Sequence, residues 1–264
     1  MPELPDVEHF RRYVAATALH KRVRSVDVRT TKVLGRLSKA TLRDRVAGNR
    51  LEAADRYAKY LFLRLQAGGW MVWHFGMSGE PAYDKDEGDP HRHDRIILHL
   101  ANGYRLAYRS QRMIGEVGLT EDKQAFIEDR ELGPDAMAVP EEQFVELARQ
   151  AKGSVKSAFL MNQNRIAGIG NVYSDEILFQ ARIHPQGRAD RLDAKTLRRL
   201  YRTMRRVLQS ATDRRADPDA FPRAWLTRRR DEGAECPRGC GQLSTAQVGG
   251  RTTYFCTKCQ RKEG

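Results

Sequence analysis

Val7, Phe10, Val14 and Ala18 recur at helical spacing. With Pro5 suited to a first turn, they predict a helix over residues 5–18. Beyond residue 22 the period shortens. Val26 and Val28 alternate with polar residues, while Tyr60-Leu61-Phe62-Leu63, Trp70 to Phe75 and Ile96 to Leu100 are apolar runs of strand length. Gly68-Gly69, Gly76 and Asn102-Gly103 punctuate them. The last of these predicts a hairpin between Ile96–Leu100 and Tyr104–Tyr108. Residues 22–119 therefore read mostly as strands of an antiparallel sandwich or barrel.

The texture changes at Leu132-Gly133-Pro134, and helical patterns follow over about 140–151, 154–163, 171–182 and 193–212. In the last, Leu197, Leu200, Met204, Val207, Leu208 and Ala211 keep the helical period, and Lys195, Arg198, Arg199, Arg202, Arg205 and Arg206 lie on the other face. That face is a solvated surface or a DNA-facing one. A basic connector occupies 213–235, and four cysteines fall within 236–260, with Val248-Gly249-Gly250-Arg251 as a hairpin tip between the two pairs. The expected fold class is α+β, divided into a sandwich domain over 1–131, a helical domain over 132–235 and a cysteine module over 236–264.

Composition narrows the partners. Lys and Arg number 47 against 34 Asp and Glu, a net charge of +13, which favours a polyanion, nucleic acid before membrane. The excess is concentrated between Arg188 and Arg230, where fourteen basic residues face five acidic ones. The apolar runs are too short to span a bilayer, and the N-terminus lacks an apolar leader pattern, so the cytoplasm is the expected location. Cys236 and Cys240 form a C-x3-C pair and Cys256 and Cys259 a C-x2-C pair, fifteen residues apart. This spacing fits one structural zinc ion held by four thiolates; two disulfides are the alternative and need an oxidising compartment.

Pro2 and Glu3 add candidate chemistry. Once Met1 is removed, Pro2 carries a secondary amine able to attack an aldehyde-like carbon, and Glu3 can serve as general acid/base. Each also has an ordinary reading, Pro2 as a chain start and Glu3 as a favourable charge at a helix N-terminus. Gly168-Ile169-Gly170-Asn171 places a G-x-G turn before a helix, a phosphate-holding geometry or a plain turn.

These pieces converge. Pro2-Glu3-Leu4-Pro5-Asp6-Val7-Glu8, Arg56 to Leu61, His74-Phe75-Gly76-Met77-Ser78-Gly79, Leu132-Gly133-Pro134, Ile166 to Glu176 and the four-cysteine module occur in this order. Together they resemble the bacterial formamidopyrimidine-DNA glycosylase and endonuclease VIII family across essentially the whole chain. The resemblance implies an N-terminal β-sandwich flanked by helices, a helix–two-turn–helix domain and a β-hairpin zinc finger, with DNA between the halves. It implies a monomeric enzyme that excises oxidised bases from double-stranded DNA and cuts the abasic strand by β,δ-elimination. By the same resemblance Pro2 is the nucleophile, Glu3 the acid/base and Lys59 a lysine near the lesion phosphate. Asn171 and Arg251 are phosphate clamps, while Met77, Arg112 and Ile114 occupy the positions that fill the stack vacated by a flipped base.

The chain also departs from the family pattern. Ser110-Gln111-Arg112-Met113-Ile114-Gly115 replaces the usual Asp-Pro-Arg-Arg-Phe-Gly, so Ile114 stands for an aromatic wedge. Asp6 stands where purine-specific members have Glu. Only the 23 residues 213–235 precede Cys236, where members that recognise 8-oxo-guanine carry a longer insert with a lesion-capping loop; 8-oxo-guanine is therefore not the expected preference. A non-catalytic zinc-finger protein that binds damaged DNA would share the charge, the helices and the zinc, but has no need of Pro2 and Glu3. A zinc hydrolase is the weakest of the readings, because four thiolates leave no open position for water and the seven histidines show no H-E-x-x-H spacing.

Overall fold

Glu3 adopts an extended conformation (φ −112°) and precedes the first helix, α1 (Leu4–Thr17). Pro5 lies in the first turn, where its missing N–H is no loss, and Val7 and Val14 face the core. These residues belong to a computed structural model that describes residues 1–260. The chain forms two compact units, Met1–Arg130 and Glu131–Gly264.

In the first unit eight strands follow α1: β1 (Val23–Val28), β2 (Leu51–Tyr57), β3 (Tyr60–Leu65), β4 (Trp70–His74), β5 (Gly79–Lys85), β6 (Asp94–Leu100), β7 (Tyr104–Ser110) and β8 (Glu116–Thr120). They make two four-stranded sheets, ordered β1-β6-β7-β5 and β2-β3-β4-β8, antiparallel throughout. The Asn102-Gly103 hairpin forms, with His99 opposite Arg105 and Leu98 opposite Leu106. Leu61, Leu63, Trp73, Leu98, Leu106 and Tyr108 from both sheets share one buried core.

Two helices in this unit were hidden among the strand signals: α2 (Lys39–Val46) and α3 (Lys123–Asp129). Only Leu42 and Val46 of α2 are buried, too few apolar positions to register as a period. Its start is fixed by a cap, the Ser38 hydroxyl accepting the Thr41 N–H at 3.0 Å.

The second unit contains α4 (Glu141–Arg149), a π-helical turn at Val155–Leu160, α5 (Asn171–Ala181), α6 (Ala194–Asp213) and a hairpin of β9 (Ser244–Val248) and β10 (Arg251–Phe255). Tyr173 to Phe179 are buried all round α5, making it the unit's central helix. The expected α-helix over 154–163 is instead the wider π turn, closed by Met161 N–H donating to the Lys156 carbonyl at 2.9 Å. Lys156, the second residue of that turn, is fully buried. The connector after α6 is packed down by buried Phe221, Trp225 and Leu226. It is tied to α5 where the Thr227 N–H donates to the Glu176 carboxylate at 2.8 Å.

Candidate active site and nucleic-acid interface

In the first unit the N-terminus of α1 carries a pair of acids. Glu3 is buried, 1 % exposed, and its backbone N–H donates to the Asp6 carboxylate at 2.9 Å. Burial first, then the neighbouring Glu3 charge, push Asp6 up to about 6. Pro2 is half-buried and Met1 exposed. Two ionisable acids in one desolvated helix start, next to a terminal residue able to become an amine, are arranged as proton-transfer groups beside a nucleophile are.

Lys59 sits in the two-residue turn joining β2 to β3, where Tyr57 pairs with Tyr60. Ala58 occupies the left-handed region there (φ 52°), which costs a non-glycine residue about 1–2 kcal/mol. Arg56 steadies the turn by donating to the Ala58 carbonyl at 3.1 Å. The turn leaves Lys59 largely buried, close enough for its charge to act on His74, which lies opposite Tyr60 in β4. Desolvation first, then the Lys59 cation, push His74 down to about 4, so its imidazole is neutral at physiological pH.

Met77, Arg112 and Ile114 come together on two touching loops. Gly76, in the β4–β5 loop, has φ +59°, and a side chain there would meet the Gly115 nitrogen at 2.5 Å. The Arg112 N–H donates to the Ser78 hydroxyl at 3.3 Å. This close approach needs glycine at position 76. Met77 is 38 % and Ile114 55 % exposed; apart from Met1 they are the exposed large apolar side chains among the described residues. Arg112 is exposed beside them. Apolar side chains held out on a loop pair by close backbone contact have the form of a wedge.

The second unit assembles the other candidates around α5. Asn171 is the first residue of that helix, after the extended Gly170. Its amide oxygen accepts from the Lys156 ammonium at 2.8 Å, and its amide nitrogen donates to the Thr252 carbonyl at 3.1 Å. An amide has two N–H groups, and the Thr252 carbonyl accepts from one of them. Lys156 also donates to Asp175 and to the Thr253 hydroxyl, both at 2.5 Å. Asp175 in turn accepts from Arg230 at 2.8 Å and from the Tyr254 N–H at 3.2 Å. One buried polar network thus ties the π turn, α5 and β10 together.

Arg251 stands on the hairpin carried by that network. Gly249 and Gly250 take φ 58° and 70°, and a side chain at Gly249 would strike Ser157 at 2.7 Å. The tip is therefore seated on the π turn. The Arg251 side chain is exposed and makes no hydrogen bond or ion pair among the described residues.

Behind the hairpin the four cysteines are free of disulfides, and their sulfurs lie within 4.8 Å of one another. A tetrahedral thiolate site with metal–sulfur bonds of about 2.3 Å has sulfurs about 3.8 Å apart. Cys236 and Cys259 at 3.7 Å and Cys240 and Cys256 at 3.4 Å approach that spacing, while Cys240 and Cys259 at 2.7 Å are closer than it. The cluster is able to hold one metal ion. Within the C-x3-C segment and just after it, Gly239 (φ 66°) and Gly241 (φ 145°) flank Cys240 in conformations that favour glycine.

The sequence did not single out Lys156 or Asp175. A signal existed: Lys156, Phe159 and Leu160 share an inward face, which places a lysine on an apolar stripe. In the sequence His74 stands out only as part of its motif, and Asp6 only as part of its motif and as a departure from the family pattern.

Known proteins share this architecture. The model of the formamidopyrimidine-DNA glycosylase N-terminal domain matches residues 1–117, and that of its H2TH domain matches residues 132–218. The formamidopyrimidine-DNA glycosylase of Teredinibacter turnerae is 34 % identical over 98 % of this chain and 100 % of its own. That of Pelotomaculum thermopropionicum is 30 % identical over 99 % of both. Among solved structures, MutM in complex with DNA containing carbocyclic 8-oxo-G superimposes with a TM-score of 0.88 at 25 % identity, over 99 % of this chain and 100 % of that one. A Lactococcus lactis formamidopyrimidine-DNA glycosylase bound to DNA containing an abasic site shares the fold, with a TM-score of 0.88 at 24 % identity, over 98 % of this chain and 100 % of that one.

The two-sheet unit and the helical unit with its four-cysteine hairpin define a DNA-repair enzyme of the base-excision class. Within that class the chain belongs to the formamidopyrimidine-DNA glycosylase family. It is a bifunctional DNA glycosylase and abasic-site lyase, so the reading as a non-catalytic zinc-finger protein is set aside. No helix among the described residues is long and apolar enough to cross a membrane.

Proposed function

We propose that this enzyme excises oxidised bases from double-stranded DNA through an N-terminal proline amine and then cuts the strand by β,δ-elimination. The observation that carries the reading is the buried Glu3 at the start of α1, immediately after Pro2 and hydrogen-bonded through its N–H to Asp6. The Pro2 lone pair bonds to the deoxyribose C1′ as the glycosidic bond breaks; the damaged base leaves with the glycosidic bonding pair and takes up a proton, and the amine gives up its own proton. Glu3 delivers a proton to the ring oxygen as the sugar opens to an iminium. Loss of a proton from C2′ then expels the 3′ phosphate, a second elimination expels the 5′ phosphate, and water releases the amine. Lys59, Asn171 and Arg251 hold backbone phosphates, as a cation and donors do. Met77, Arg112 and Ile114 fill the vacated stack. The four cysteines hold a structural zinc ion, whose chemistry is to fix the hairpin that presents Arg251. The enzyme acts as a monomer in the cytoplasm.

Borohydride reduction with abasic-site DNA is expected to trap a covalent complex through the Pro2 amine. A protein retaining Met1, or acylated at its N-terminus, should trap essentially none. Undiminished trapping in that form would remove Pro2 as the nucleophile. Glycine at position 2 does not test the idea, because it also supplies an amine.

Lesion choice follows from the connector. Residues 213–235 are spent on two short 3-10 turns and on buried Phe221, Trp225 and Leu226, leaving little chain to close over a flipped purine. Ile114 probes the stack without a ring to stack on a base. The 8-oxo-guanine base should therefore be excised more slowly than ring-opened purines, oxidised pyrimidines or further-oxidised guanine, with abasic-site cleavage retained. Single-turnover rates on matched duplexes decide it; 8-oxo-guanine opposite cytosine emerging as the fastest substrate would overturn the connector argument.

A further inference from the structure

The outer face of α6 holds more charge than the lesion site uses. Lys195, Arg198, Arg199, Arg202 and Arg206 are all exposed along it, lining an open hollow of about 670 Å3. A second hollow of about 420 Å3 continues past Arg202 and Arg206 to Met137 and Gln209. From Lys195 to Arg206 the helix rises about 16 Å, so it presents one cation per 3–4 Å. A DNA strand presents one phosphate per about 3.4 Å of helix axis.

Little of this charge is neutralised within the protein. Glu141 of α4 pairs with Arg198 at 3.6 Å and Arg202 at 3.4 Å. Lys195, Arg199 and Arg206 make no ion pair among the described residues. A face built for solubility intersperses both signs, and like charges at i, i+4 work against the helix. Arg198, Arg202 and Arg206 form such a row.

The row also points away from the helix that carries Asn171. α6 buries Leu197, Leu200, Met204, Val207, Leu208 and Ala211 and packs on α4 and α5. Asn171 lies on α5, which covers the buried side of α6. The helix that carries Asn171 is therefore on the other side of α6 from these cations.

We infer that the outer face of α6 is a second, sequence-independent DNA-backbone site, engaging a duplex segment other than the one held at the lesion. Such a contact keeps the enzyme on long DNA and passes it between segments while the first site searches. The inference rests on DNA being the substrate and not on the identity of the nucleophile.

The test is the combined variant Lys195→Glu/Arg199→Glu/Arg206→Glu, which alters only cations without an ion pair. Single-turnover excision on a short duplex that fills only the lesion site should stay within about twofold of the wild type. Affinity for a long lesion-free duplex should fall at least about tenfold at low salt, and the slope of log K against log salt should drop by about two to three, near 0.9 per lost phosphate contact. Cleavage of two lesions on one long duplex in a single encounter should fall with it. The corresponding triple Gln variant, with a matching circular dichroism spectrum, should show the same direction if charge reversal perturbs folding. Arg251→Ala is the control for the lesion-site reading, and should lower the slope on the short duplex by about one. If Arg251→Ala has that effect and neither triple variant changes long-duplex binding, the α6 site is refuted and the face serves solvent or an acidic protein. If Arg251→Ala is silent while the triple variants lose long-duplex binding, the clamp assignment fails and the α6 site stands.

Discussion

Replacing Glu3 by Gln should cut base excision by about 10²-fold or more while strand cleavage at a preformed abasic site persists at a measurable rate. A positioned acid/base contributes about 10²–10⁴ to a rate, and the two substrates divide its use. Intact nucleotides need a proton delivered as the glycosidic bond breaks and the sugar opens. A preformed abasic site already presents an aldehyde-like C1′ to the amine. The amide keeps the volume of the buried side chain, and the backbone N–H that donates to Asp6 is untouched, so the helix start survives. The Glu3 charge is one of the causes that raise Asp6; with a neutral amide beside it, Asp6 should titrate below its present value of about 6. The measurement is a pair of single-turnover time courses, one on a duplex with an oxidised base and one on the matching abasic duplex, with the unfolding midpoint recorded for both proteins. Equal loss on the two substrates, or a large drop in midpoint, would make Glu3 a capping residue rather than a proton donor.

Both units were legible to very different depths in the sequence. The sandwich announced itself because its strands are buried on one side and alternate or run apolar, and because Asn102-Gly103 permits one kind of turn. α2 escaped, since two buried residues in eight make no visible period. The site residues on loops were readable only as ordered motifs. Nothing in the composition of Gln111-Arg112-Met113-Ile114 says that it meets Gly76; that contact depends on how β4, β5, β7 and β8 are arranged in two sheets. The cysteines are the opposite case, because ligand spacing is local and needs no tertiary knowledge. The buried network around Lys156 joins residues up to 97 positions apart, and long-range polar pairing leaves no periodic trace.

That network yields the second large effect. Lys156→Met should destabilise the second unit by about 3–5 kcal/mol, the usual cost of removing one partner of a buried ion pair. The unfolding midpoint should fall by about 10 °C or more. The Lys156 and Asp175 side chains are wholly buried. Without the ammonium, Asp175 keeps Arg230 and the Tyr254 N–H, but the Asn171 oxygen and the buried Thr253 hydroxyl lose the donor that held them. Asn171 can then turn away from the helix start, and β10 is held to α5 by fewer bonds. DNA affinity should therefore weaken along with stability. Metal content should match that of the wild type, because the network does not include the cysteines; metal analysis of the reduced proteins checks both the ion and its survival. A double-mutant cycle with Asn171→Ala separates positioning from general loosening. If Lys156 acts through Asn171, its effect on DNA affinity should largely vanish in the Asn171→Ala background while its effect on the midpoint remains. Full additivity in affinity would mean that Lys156 only stabilises the fold, and that any contribution of Asn171 to DNA binding does not depend on the network.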